Sequence, residues 1–143
     1  LVFIMHGHDH EPREAVARLL RELELVPVIL HEQATQGRTI VEKLEHYGDV
    51  AYAVVLLTPD DVGGPVNRGL EARARQNVIL ELGYFVGRLG RRNVCALHRG
   101  EIELPSDYHG IVYVPFDPEG GWRMRLATEL RAAGFSIDMN RLL

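Results

Sequence analysis

Five consecutive residues near the start, His6-Gly7-His8-Asp9-His10, have the donor types of a metal site. Metal binding needs several ligands that converge from different segments. The His-x-His of barrel hydrolases sits in chains of about 250 residues with further ligands on later strands. A His-x-His-x-Asp-His pattern is broken here because Asp9 follows His8 directly, and no second histidine-rich cluster supplies a third ligand. The expectation is therefore no metal. Two readings of the run stay open. In one, Gly7 permits a tight turn and Asp9 caps a helix; in the other, the run contacts a phosphorylated or ribosyl ligand at that helix start.

A second chemical feature is a solitary carboxylate. In Gln76-Asn-Val-Ile-Leu-Glu-Leu-Gly-Tyr-Phe-Val-Gly87, flanked by Arg75 and Arg88, the only charged residue is Glu81. At 100° per residue, Val78, Ile79, Leu82, Phe85, Val86 and Leu89 span one buried sector, with Glu81 on its edge beside Asn77 and Arg88. Partial desolvation disfavours the charged form of a carboxyl group and suits it to acid–base or cation-stabilising work. The plainer alternative is an edge glutamate paired with Arg88 at the surface.

These groups need elements to hold them. Short apolar runs at Val2 to Met5, Pro27 to Leu30, Ala53 to Leu57, Val94 to Leu97 and Ile111 to Val114 predict strands buried on both faces. Between them lie stretches of helical period, at Glu11 to Leu23, Ile40 to Tyr47, about Arg73 to Leu89, and Gly121 to Ala133. Five strands alternating with helices predict an α/β, flavodoxin-like three-layer fold around a five-stranded parallel sheet. Such folds bind ligands at the carboxyl ends of the strands. The segments there are His6 to Asp9, the polar stretch His31 to Thr39, and a long loop from Thr58 to about Leu70 that contains Asp60.

The 143 residues, 46% of them apolar, suit one domain with a single sizeable core, and a net charge of −4 provides no general attraction to nucleic acid or anionic membrane. One cysteine, Cys95, cannot form an internal disulfide, which fits a cytoplasmic location. No charged start followed by an apolar stretch and small-residue cleavage site marks a signal peptide, and no apolar run approaches the roughly 18 residues a membrane span requires. The chain opens at Leu1, already inside an apolar strand and without an initiator methionine, so a domain excised from a longer protein is expected. Neither G-x-G-x-x-G, a P-loop nor G-x-S-x-G occurs, which argues against a dinucleotide dehydrogenase, an NTPase and a serine hydrolase. A response-regulator receiver needs an acidic pair after strand one and a phosphorylatable Asp after strand three, whereas only Asp9 and Asp60 are available here and no lysine follows strand five.

With His6-Gly-His-Asp9, Gln36-Gly-Arg-Thr39, Leu56-Leu-Thr-Pro-Asp-Asp61 and Arg75-Gln-Asn-Val-Ile-Leu-Glu-Leu-Gly83 in order, the chain resembles the TIR-like domains of bacterial anti-phage effectors of the CBASS and Pycsar type. The likeness runs from Val2 to about Asn140. It implies a domain that cleaves the nicotinamide–ribose N-glycosidic bond of NAD+, with a catalytic glutamate at the position of Glu81. It further implies that His6, Gly7, His8, Asp9, Gly37, Arg38, Thr39, Asp60 and Asn77 line the substrate site, with Arg38 toward the pyrophosphate. NAD+ is then a substrate, and no metal or bound cofactor is required. Implied partners are neighbouring TIR domains, which complete the cleft on assembly, and a fused sensor of a cyclic nucleotide. Animal TIR enzymes carry an aromatic residue after strand one where this chain has His6 and His8, so the group that stacks on the nicotinamide or adenine is unassigned. The alternative function is a non-catalytic module that binds a nucleotide or another TIR domain.

Overall fold

The computed structural model describes residues 1–29, 42, 45–46, 50–105 and 110–143. In chain order the elements are β1 (Val2–Met5), α1 (His10–Glu22), β2 (Pro27–Ile29), β3 (Tyr52–Leu57), β4 (Asp61–Gly63), β5 (Glu71–Arg73), α2 (Gln76–Leu89), β6 (Val94–His98), β7 (Val112–Pro115) and α3 (Gly121–Ala132), with 3-10 turns at Arg91–Asn93 and Met139–Leu142. Five strands form one sheet in the order β2-β1-β3-β6-β7, and every neighbouring pair is parallel. This is the doubly wound, flavodoxin-like arrangement that the alternation of apolar runs predicts.

Alternate residues of each strand feed opposite layers because successive side chains leave a strand on opposite faces. On one face, Val2, Ile4, Val54, Leu56, Cys95 and Leu97 meet the stripes of α1 (Val16, Leu19, Leu20) and α3 (Trp122, Leu126, Leu130). On the other, Phe3, Met5, Ala53, Val55, Leu57 and Ala96 meet Val78, Leu82 and Phe85 of α2. Each of the larger side chains fully withdrawn from water contributes roughly 1.5–3 kcal/mol. Burial also pushes the Cys95 thiol up to about 12, so at neutral pH it is a neutral core group.

The ends of the helices follow local chemistry. Asp9 is the N-cap of α1, its Oδ1 accepting from the Glu11 N–H at 3.2 Å. Helix α2 stops at Gly90, whose φ of 82° only glycine adopts without strain. At α3 the cap lies further upstream, where both oxygens of Asp117 accept from the backbone N–H groups of Gly121 and Trp122 at 2.8 Å.

Two expectations need correction. The stretch from Thr58 to Leu70, read as a loop, contains β4, which pairs antiparallel with β5, and the following helix starts at Gln76 rather than near Arg73. Strands of three residues are too short to show a period of two, so no pattern announced them. What holds them is tertiary: the Arg73 guanidinium lies across Gly63, where a Cβ would stand 2.2 Å from Cζ, and the Glu103 N–H donates to the Ala72 carbonyl at 2.9 Å. Of the helix expected over Ile40 to Tyr47, Glu42, Glu45 and His46 are helical, and the rest lies outside the described residues, as does Leu30.

Candidate functional site at the carboxyl edge of the sheet

The chain leaves β1 through α1 toward β2 on one side, and leaves β3 through α2 toward β6 on the other. The exits of the adjacent strands β1 and β3 therefore flank the point where the winding reverses, the place where such sheets bind ligands.

At the β1 exit His6 is buried, and its Nδ1 lies 2.8 Å from the Gly7 carbonyl oxygen, an acceptor that requires the ring nitrogen to donate. His8 and His10 are exposed, and the His10 ring stands edge-on to that of His6 at 5.7 Å. Gly7 is buried beneath Asp60 of the β3 exit. The buried Thr58 hydroxyl donates to Asp60 Oδ2 at 2.7 Å, and the Asp60 N–H donates to the Thr58 carbonyl at 2.7 Å. The two exits are thus packed directly on each other.

Asp9 does more than cap a helix. While Oδ1 accepts from Glu11, Oδ2 accepts from Arg99 Nη1 at 2.8 Å, and Arg99 Nη2 reaches Glu11 Oε2 at 3.1 Å. The Arg99 backbone N–H is bound to the Leu57 carbonyl at 3.0 Å, and its guanidinium lies 5.6 Å from the centroid of the Phe116 ring. The Asp9 bond, then the Glu11 bond, hold its pKa above the ordinary arginine value. Arg99, Thr58 and Phe116 escape a reading of the sequence. The one available signal was their position just past the carboxyl ends of β6, β3 and β7.

Helix α2 connects two parallel strands, so it runs against them and begins at the same carboxyl edge. Val78, Leu82 and Phe85 are buried, while Asn77 and Glu81 are half-buried and lie one turn apart on the same face. Arg88, the partner weighed for Glu81, donates through Nη1 to the Tyr84 hydroxyl and places its guanidinium 5.8 Å from that ring's centroid.

Gly37, Arg38 and Thr39 lie outside the described residues. The contacts of the other expected site residues join Gly7 to Asp60 and His6 to His10, and tie Asp9 to Arg99. A separate cleft of about 300 Å3, lined by Arg73, Ala74, Gln76, Ile79, Glu103 and Pro105, opens on another side of α2, and none of the described site residues lines it. Among the described residues no group of three or more His, Cys, Asp and Glu side chains is placed to hold a metal ion, and no helix is long and apolar enough to cross a membrane.

Fold and carboxyl-edge residues together define a flavodoxin-like α/β domain with its polar groups gathered at the winding reversal. A family model, the TIR domain of CAP12/Pycsar effector proteins, matches residues 1–118, and the chain belongs to that family. The chain is 46% identical over 144 residues to the uncharacterized protein YuaY of Escherichia coli (strain K12), covering 99% of this chain and 48% of that protein. It is 34% identical over 105 residues to the Pycsar effector protein PaPycTIR of Pseudomonas aeruginosa, covering 71% of this chain and 32% of that one. To BcPycTIR of Burkholderia cepacia the identity is 44% over 68 residues, 46% of this chain and 22% of the relative. The chain thus spans about half the length of YuaY and less of the two Pycsar effectors.

Proposed function

We propose that the domain hydrolyses NAD+ at the bond between ribose and nicotinamide, with Glu81 as the catalytic carboxylate and NAD+ as substrate rather than cofactor. The observation that carries this reading is the half-buried Glu81, the one charged residue in the sequence from Gln76 to Gly87, on a helix that starts at the carboxyl edge, in a chain of the CAP12/Pycsar TIR family. As the glycosidic bond breaks, its electron pair goes to the pyridinium nitrogen and nicotinamide leaves neutral. The ribosyl carbon then carries positive charge until a water oxygen bonds to it and releases a proton. A carboxylate beside the ribose stabilises that cation and holds the ribose hydroxyls. Asn77, one turn earlier on the same face, orients the carboxylate, and His6, Gly7, His8, Asp9 and Asp60 supply the opposite wall.

In this reading the domain is the effector part of a cytoplasmic anti-phage protein, switched on when a sensor segment brings TIR domains together. The test is nicotinamide release from NAD+ by protein brought into assemblies. Wild type should turn over, and Glu81→Gln should lose about 10²-fold or more, the scale of removing one transition-state-stabilising group. Equal activity in the variant overturns the catalytic assignment. An assembled wild type that binds NAD+ without consuming it identifies the alternative, a nucleotide-binding module.

A further inference from the structure

The carboxyl ends of four of the five sheet strands meet at one residue. Arg99 follows β6, which is separated from β1 by β3, yet its guanidinium reaches the β1–α1 loop. It crosses the carboxyl end of β3, where its own backbone N–H is bound to Leu57. There it takes the one oxygen of Asp9 that the helix cap leaves over, and a second N–H takes Glu11. The guanidinium also lies over the ring of Phe116, itself packed 5.0 Å from Trp122. A planar fork with two acceptors and an aromatic backing has one good orientation. The loop it grips carries His6, Gly7 and His8, and is further held by the Gly7–Asp60 contact, the bond within His6-Gly7 and the His6–His10 ring contact.

We infer that Arg99 is a positioning residue, which holds the β1–α1 loop across the exit of β3 in the shape that receives substrate. The inference rests on the NAD+ reading for its substrate, but not for the contact itself. Asp9 and Glu11 are partly exposed, so the pairs are not a stability device of consequence: exposed ion pairs contribute little. Their effect is on geometry. Without Arg99 the loop samples other conformations, and substrate binding must pay the ordering cost.

Two measurements test this on wild type, Arg99→Gln and Arg99→Lys. In nicotinamide release, Arg99→Gln should raise KM for NAD+ about tenfold with kcat within about twofold. Arg99→Lys, a point charge that cannot hold both carboxylates, should fall between the two. In amide hydrogen exchange without substrate, residues 7 to 11 should exchange about tenfold faster in Arg99→Gln while the strands keep their protection. Unchanged loop exchange overturns the inference, as does a loss confined to kcat. If wild type fails to cleave NAD+, the proposed activity falls, and the exchange result alone decides the role of Arg99.

Discussion

The carboxylate of Asp60 lies directly against the Cα of Gly7: a Cβ on that glycine would stand 1.8 Å from Asp60 Oδ2. No non-bonded pair of heavy atoms sits that close, and Asp60 is held in place by the Thr58 hydroxyl. Gly7 is therefore required by the approach of a neighbouring strand's exit. Gly7→Ala should cost about 1–3 kcal/mol in denaturant unfolding, the usual range for overpacking. Because it displaces groups at the winding reversal, it should also lower the proposed NAD+ turnover by about 10²-fold, the scale of an ångström-sized misplacement. A variant with wild-type turnover would show that the β1 and β3 exits do not shape the site.

The sheet holds α2 through Leu82, which is fully buried, while Leu80, two residues earlier, is 54% exposed. Leu82→Ala should destabilise the domain by about 2–5 kcal/mol through lost transfer energy and the cavity it leaves. Leu80→Ala should stay within about 0.5 kcal/mol. Comparable losses in the two would mean that α2 does not dock on the face described, and with it that Glu81 is not where it is placed.

Asp117 yields a pH dependence with a definite sign. Its bonds from the Gly121 N–H, then from Trp122, lower its carboxyl pKa below the ordinary 3.8. A lowered folded-state pKa adds stability that is present above the unfolded value and lost as pH falls through the folded one. Unfolding of wild type and Asp117→Ala should therefore differ by a constant amount from about pH 7 to about pH 5, and the gap should shrink below about pH 3.8. A gap unchanged at about pH 2 would rule out the ionised cap as its origin.

Much of this architecture is local information. Five short apolar runs and four stretches of helical period predict the layers, because a parallel strand covered on both faces has no polar position and a covering helix repeats every 3.6 residues. Asp9 as a cap and Gly90 as a stop are equally local, each acting on backbone within a turn. Glu81 stands out for the same reason: a lone charge among apolar residues is visible in the string before any fold is known.

The arginines show where local information ends. Fifteen are present, and nothing nearby distinguishes Arg99, whose partner Asp9 is 90 residues away, from the others. The same holds for Gly7, whose need for a missing side chain comes from Asp60, and for the β4–β5 hairpin, held by Arg73 and Glu103. By itself the sequence determined which segments become strands and helices, how they alternate, and which carboxylate is the lone charge of an otherwise apolar segment. Only the tertiary structure decided which loop ends meet, because contacts between strand exits depend on strand order and twist. Periodicity registers the burial of a face, and carries no record of what lies beyond the end of a strand.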